Sequence, residues 1–233
     1  MLTKIDHKNK GTSNLGWLNS IFHFSFADYY NQSNLNFGVL RVLNDDLIQP
    51  NNGFDLHPHR NMEIITYVID GVLTHQDSIG NIGTLNRGDV QYMSAGTGVF
   101  HSEHNYGKDI LRLLQIWIIP NAFVLKPKYE EYHFDWSLRK NKLFKIASNS
   151  GKEAPIKINQ DINIYVLELD KNHKINFPVA NNRQAYLVQV EGKSIINHNI
   201  LNEKDALKII EEDITILAQE ASHFIIIEMQ KEE

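Results

Sequence analysis

The chain has 233 residues, 42% of them hydrophobic, enough for one large or two small domains; it has no cysteine, which removes disulfides, thiolate metal sites and cysteine nucleophiles. Its formal net charge is -5 and its lysines and arginines are scattered rather than gathered into a stripe, so direct nucleic-acid binding is not expected. The longest apolar runs, FIIIEM and LLQIWII, are too short to span a bilayer and no basic-then-apolar leader precedes them, so a cytoplasmic protein with no membrane partner is expected.

After the polar opening HKNKGTSNLG, short β-rich runs follow one another: LNFGVLRVL, EIITYVI, GVLTHQDS, GDVQYMSA and LRLLQIWII. Each is closed by Gly, Asn, Asp or Pro, a cadence that predicts antiparallel strands in a sandwich or barrel. The segment from Pro120 to Gly151 is charged, holds two prolines and lacks sustained alternation, so it reads as a linker. Beyond it the cadence resumes in INIYVLELD, QAYLVQVEGKSIIN, DALKIIEE, ITILAQE and HFIIIEM, with Gly192 in a turn resembling that at Gly71. The expected fold is all-β, two antiparallel β-barrel (jelly-roll) domains. Residues 1–135 carry the site and the N-terminal strands; residues 136–233 contain neither an HxH nor an HxE and hold no metal ligands.

The stretch HPHRNME carries the first chemical signal. On a regular strand His57, His59, Asn61 and Glu63 point one way and Pro58 and Arg60 the other. Pro58 cannot donate to a ladder, which places the stretch at a sheet edge or a strand start. An HxH pair alone is more often structural than metal-binding. Some forty residues on, GDVQYMSAGTGVFHSEHN supplies a second pair, His101 and Glu103, again on one face. Two such pairs on neighbouring strands can converge on one cation with three imidazoles and a carboxylate, Glu63 or Glu103, leaving positions open for substrate or O₂.

The order of these residues resembles a known pattern. GFDLHPHRNMEIITYVIDG, residues 53–71, is similar to the first cupin motif and GDVQYMSAGTGVFH, residues 88–101, to the second; Gly53 stands closer to His57 than usual, and Ser94 replaces a frequent proline. With GWLNSIFHFSFADYY, LRVLNDD, MSAGTGVFHSEHN and LLQIWI, the chain resembles the bacterial pirins, a bicupin family whose members include quercetinase-like enzymes. The resemblance is dense as far as LLQIWI and looser beyond it.

That resemblance implies the ligand set His57, His59, His101 and Glu103, with Glu63 supporting a ligand imidazole by accepting its N–H. It implies one divalent metal, Fe(II) first, although the same donors accept Mn, Co, Ni, Cu or Zn. It also implies a metal-dependent dioxygenase of the quercetin 2,3-dioxygenase type, taking a flavonol or similar small aromatic enol and O₂, with Glu103 both ligand and catalytic base. The alternatives are a non-enzymatic metal- or redox-sensitive module that docks a protein partner, and a silent cupin that keeps its metal for stability. His75, in THQDS, either lines the pocket mouth or is a satisfied strand histidine. His104 is out of phase with its neighbours, and His7, His23, His133, His173, His198 and His223 read as structural or surface residues.

Overall fold

The computed structural model describes residues 1–232. Its regular structure is all β apart from two short 3₁₀ turns, and no helix among the described residues is long and apolar enough to cross a membrane. The strands are β1 (Leu2–Ile5), β2 (Gly11–Asn14), β3 (Leu18–Phe22), β4 (Leu40–Ile48), β5 (Asn52–His59), β6 (Glu63–Asp70), β7 (Leu73–Asp77) and β8 (Ile82–Leu85). They continue as β9 (Val90–Ser94), β10 (Val99–Asn105), β11 (Leu111–Ile118), β12 (Lys128–Tyr132), β13 (Phe144–Ser148), β14 (Ile156–Lys157) and β15 (Ile162–Leu169). The last are β16 (Lys174–Phe177), β17 (Arg183–Glu191), β18 (Ser194–Ile196), β19 (Asn199–Leu201), β20 (Ala206–Ile210), β21 (Ile214–Ala218) and β22 (Ser222–Gln230).

Two compact units result, one of residues 11–134 and one of residues 1–10 with 135 onward. Each holds a seven-stranded and a four-stranded sheet: β12-β9-β6-β11-β4-β3-β2 with β5-β10-β7-β8 in the first, and β1-β20-β17-β22-β15-β13-β14 with β16-β21-β18-β19 in the second. Pairing among these strands is antiparallel save for the β13–β14 contact. The expected all-β, jelly-roll architecture is present, with open sheets rather than closed barrels.

Burial follows sheet position. Central β6 (EIITYVID) is buried at every residue but the last, because neighbours flank it and both its faces are covered, whereas β10 (VFHSEHN) alternates buried and accessible from end to end. Inward residues of both sheets meet in apolar clusters: Ile48, Val68, Leu73, Leu85 and Leu113 in the first unit, Leu167, Phe177, Ile216 and Phe224 in the second. Gly71 and Gly192 close the matching turns after β6 and β17 at φ +80° and +79°, a left-handed conformation that penalises any side chain.

Two features depart from the sequence reading. Leu2–Ile5 forms the edge strand of the second unit through its pairing with β20, so residues 1–10 group with residues 135 onward, while the division near residue 135 falls between Phe134 and Asp135. The segment from Pro120 to Gly151 is not a plain linker: β12 (KYEEY) is half-buried on the edge of one sheet beside β9, and β13 pairs with β15 in another. An edge strand with one solvated face tolerates the charges that made this stretch look unstructured.

Candidate metal centre

β5 and β10 lie side by side, β5 at the sheet edge, where Pro58 leaves no ladder bond unmade. Their register sets His101 opposite His57, and a bulge between His101 and Glu103 sets Glu103 opposite Phe54. His101 and Glu103 are both buried on the inner face. The three imidazoles gather: ring centres lie 4.4 Å apart for His57 and His101, and 4.9 Å apart for both His57–His59 and His59–His101. Their donor atoms all fall within 4.8 Å of one another, and a second, overlapping group joins His101 and Glu103 to His75.

Burial sets the charge state of these rings. It pulls His59 down to about 4, with His57 adding to the fall, and pulls His101 down to about 2, with His57, His59 and His75 adding. Both are therefore neutral at physiological pH, the form that offers a lone pair. His57 Nδ1 lies 2.7 Å from the carbonyl oxygen of Asp55; donation there fixes the tautomer and leaves Nε2 as the acceptor. His101 Nε2 is buried without a hydrogen-bond partner, and its Nδ1 faces His75 Nδ1 at 3.5 Å. Three convergent imidazoles, those of His59 and His101 held neutral and the latter with an unsatisfied buried nitrogen, stand beside a carboxylate and make a donor set that fits a first-row divalent cation.

Glu103 is held from the opposite sheet. Thr66 Oγ1 donates to its Oε1 at 2.8 Å and Gln115 Nε2 to its Oε2 at 2.7 Å. Burial pushes the carboxyl up, against the downward pull of Thr66, His57 and Gln115. Glu63 stands elsewhere. The chain leaves β5 at His59 and turns through Asn61 at φ +50° before β6 begins, so the period-two alternation expected from His57 to Glu63 is broken. Glu63 is buried in the seven-stranded sheet and accepts the Tyr92 hydroxyl at 2.7 Å.

A cavity of about 280 Å³ opens beside the cluster, with His57, His59 and Glu103 in its lining. Phe22, Phe26, Phe54 and Trp117 make its aromatic walls, and Ser20, Asn44, Asp46 and Gln115 its polar ones. Trp117 stands edge-on to His59 with ring centres 4.8 Å apart, and Phe26 packs against Trp117 at 5.4 Å. None of this wall is expected from the sequence motifs. Its signals were a polar triplet, Asn44-Asp45-Asp46, inside the apolar run of β4, and Gln115 inside β11.

His75 belongs to the cluster rather than to a pocket mouth: it is fully buried, and its ring stacks on Tyr129 at 4.4 Å. His104, as expected from its phase, points away from the cluster, 3.5 Å from Asp55 and stacked on Tyr106. His133 and His223 meet Asp89 and Glu191 away from the cluster. His7, read as a structural or surface residue, shares a cluster with Asp6 and Asp205, but Lys4 Nζ lies 3.0 Å from Asp205, whose Oδ1 also accepts the His7 amide. That cluster already carries its own cation and ties the N-terminal segment to β20's approach.

Comparison with known proteins gives the family. The pirin family model matches residues 5–118 and the quercetinase C-terminal cupin domain model matches residues 145–229. A pirin-like protein of Caulobacter vibrioides is 40% identical over 220 residues, covering 94% of this chain and 95% of its own. A quercetin 2,3-dioxygenase of Escherichia coli K12 is 38% identical over 222 residues, covering 94% of this chain and 95% of its own. The crystal structure of the Escherichia coli bacterial pirin YhhW in complex with nickel(II) matches with a TM-score of 0.94 at 35% identity, covering 100% of both chains. In fold, in sequence and in both halves of its length, the chain belongs to the pirin family.

Proposed function

We propose that the chain is a metal-dependent dioxygenase of the quercetin 2,3-dioxygenase type, with His57, His59, His101 and Glu103 holding one divalent cation. The observation that carries this reading is the convergence of three imidazole donors within 4.8 Å of one another beside a 280 Å³ aromatic cavity that Glu103 also lines. The name of the Escherichia coli relative supports the reaction, and the nickel(II) complex of YhhW supports a divalent ion in such a site. Fe(II) is the first metal to test, by resemblance to the family, and Mn, Co, Ni, Cu and Zn follow because the donors do not discriminate strongly among them.

When bound, the cation supplies a Lewis acid that polarises adjacent oxygens of a flavonol. The chain's own residues do the rest. Phe22, Phe26, Phe54 and Trp117 form a slot for a planar ring system and exclude water from it. Glu103, whose basicity burial has raised, takes the proton of the substrate 3-hydroxyl, and Thr66 and Gln115 hold both its oxygens in position for that transfer. The overall reaction consumes one O₂, opens the heterocycle to an ester and releases one carbon as carbon monoxide.

An aerobic assay of the metal-loaded protein with quercetin, following loss of the flavonol absorbance, tests the reading. Turnover by the wild type that disappears in both His101→Ala and Glu103→Ala is the expected result. Absence of turnover with every one of the six metals overturns it.

A further inference from the structure

The cavity wall contributed by β4 is not accounted for by metal binding. Asn44 and Asp46 are each 3% exposed, both line the cavity, and Asn44 Oδ1 and Asp46 Oδ1 are buried without a hydrogen-bond partner. Two residues apart on one strand, they share a face at a spacing of about 7 Å. Their position relative to the cluster is set by register. Gln115, which donates to Glu103, lies directly opposite Asn44, and Ser20 lies opposite Asp46 on the far side of β4. Asn44 and Asp46 therefore stand one strand beyond Gln115 in the seven-stranded sheet, in the same cavity lining as His57, His59 and Glu103.

Buried acceptors without donors are rare in native folds because water has been lost and nothing has replaced it. The aromatic walls of the same cavity suit donors carried on a flat ring. We propose that Asp46, with Asn44, forms a specificity subsite that accepts hydrogen bonds from ring hydroxyls of a planar aromatic substrate other than the one that faces the metal. This rests on the dioxygenase reading above and narrows it: the preferred substrates are polyhydroxylated, not bare, aromatic enols. Burial pushes the Asp46 carboxyl up to about 7, with Asp45 and Glu103 adding to the rise and Ser20 opposing it, so above that pH it is a charged acceptor. Asp45 itself is engaged by Arg112 in a two-point ion pair at 2.9 and 2.7 Å, which leaves Asp46 as the carboxylate facing the ligand.

The test is an oxygen-free titration at pH 8 of the nickel(II)-loaded protein with two probes. Quercetin carries the ring hydroxyls; 3-hydroxyflavone has the same metal-facing edge and lacks them. The wild type is expected to prefer quercetin about tenfold, the scale of a hydrogen bond to a charged group. In Asp46→Ala the ratio of the two affinities falls towards one, while elemental analysis still finds one nickel per chain. Should Asp46→Ala fail to fold, Asp46→Asn preserves the shape and lowers the ratio at least threefold. A wild-type ratio near one, or a ratio unchanged in the folded variants, overturns the subsite alone. If neither probe binds the wild type, the dioxygenase reading falls and the subsite with it.

Discussion

β5 and β10 have counterparts in β16 and β21: each pair is an edge strand and its neighbour in a four-stranded sheet facing a seven-stranded one. In the first pair His57 lies opposite His101; in the second Ile175 lies opposite Ile216, and Phe177 opposite Ile214. Ile214, Ile216 and Ala218 then pack with Phe224 and Ile226 into one apolar core. One backbone design thus has two interiors. Where the inward positions are aliphatic, burial is purely favourable and the space fills. Where they are imidazoles and a carboxylate, desolvation opposes charging, a nitrogen is left unsatisfied, and a cavity remains beside it.

The largest effect separating the two interiors is catalytic. His101→Ala and Glu103→Ala are expected to lower flavonol turnover by about 10²–10⁴-fold, the range for loss of a positioned base or of the group that holds the reacting centre. Ile216→Ala, at the matching place in the other unit, leaves metal content at one ion per chain. If elemental analysis showed metal retained by His101→Ala and lost by Ile216→Ala, the contrast would be refuted.

Next in size, Ile216→Ala is expected to cost about 2–5 kcal/mol of stability through lost burial and the void left behind, visible as a lower urea midpoint. His101→Ala in the metal-free protein should cost far less, because it removes a ring that burial holds in an unfavourable setting. Equal losses from the two substitutions would show that the site-bearing interior is as cohesive as its counterpart.

Chelation sharpens the same contrast. Metal at a hundredfold excess over its dissociation constant contributes about 2.7 kcal/mol to the folded state. Removing it is expected to lower the melting temperature of the wild type and to leave that of His101→Ala unmoved. Differential scanning calorimetry with and without a chelator reads both, and an equal shift in the two proteins would place the metal elsewhere.

The smallest effect is a pH dependence. Folding depresses the His101 pKa from 6.5 to about 2, so between these values the unfolded chain binds a proton that the folded chain refuses. That contribution is absent above pH 6.5 and destabilises increasingly as the pH falls below it, by up to about 1.4 kcal/mol per pH unit. Asp46, raised from 3.8 to about 7, has the opposite sign: its contribution is full below 3.8 and is lost as the pH rises through 7. Taking the difference between metal-free wild type and His101→Gln cancels it. Urea midpoints at pH 7.5, 6.5 and 5.5 should show the variant gaining on the wild type only below 6.5; parallel curves would contradict the desolvation assigned to His101.

Much of the molecule was legible from local pattern. Strand runs closed by Gly, Asn, Asp and Pro marked the sheets, Pro58 marked an edge, and the spacing of His101 and Glu103 put them on one face. KYEEY was missed because an edge strand with one wet face has the composition of a loop. The Asn44, Asp46 and Gln115 wall was missed, and His75 was left between a pocket-mouth and a strand role, because each is a polar residue within an otherwise ordinary strand, with nothing nearby in sequence to mark its partner.

By itself, then, the sequence determined the all-β class, the doubled strand cadence and the shared face of His57 with His59 and of His101 with Glu103, since side-chain alternation and turn chemistry act between neighbours a few residues apart. The tertiary structure decided the rest. It gave Glu63 to Tyr92 and Glu103 to Thr66 and Gln115, carried residues 1–10 to the second unit, and set the β4 wall beside the histidines. Those outcomes depend on strand order, register and one bulge, which are settled by packing among segments tens to hundreds of residues apart and leave no mark on any local stretch.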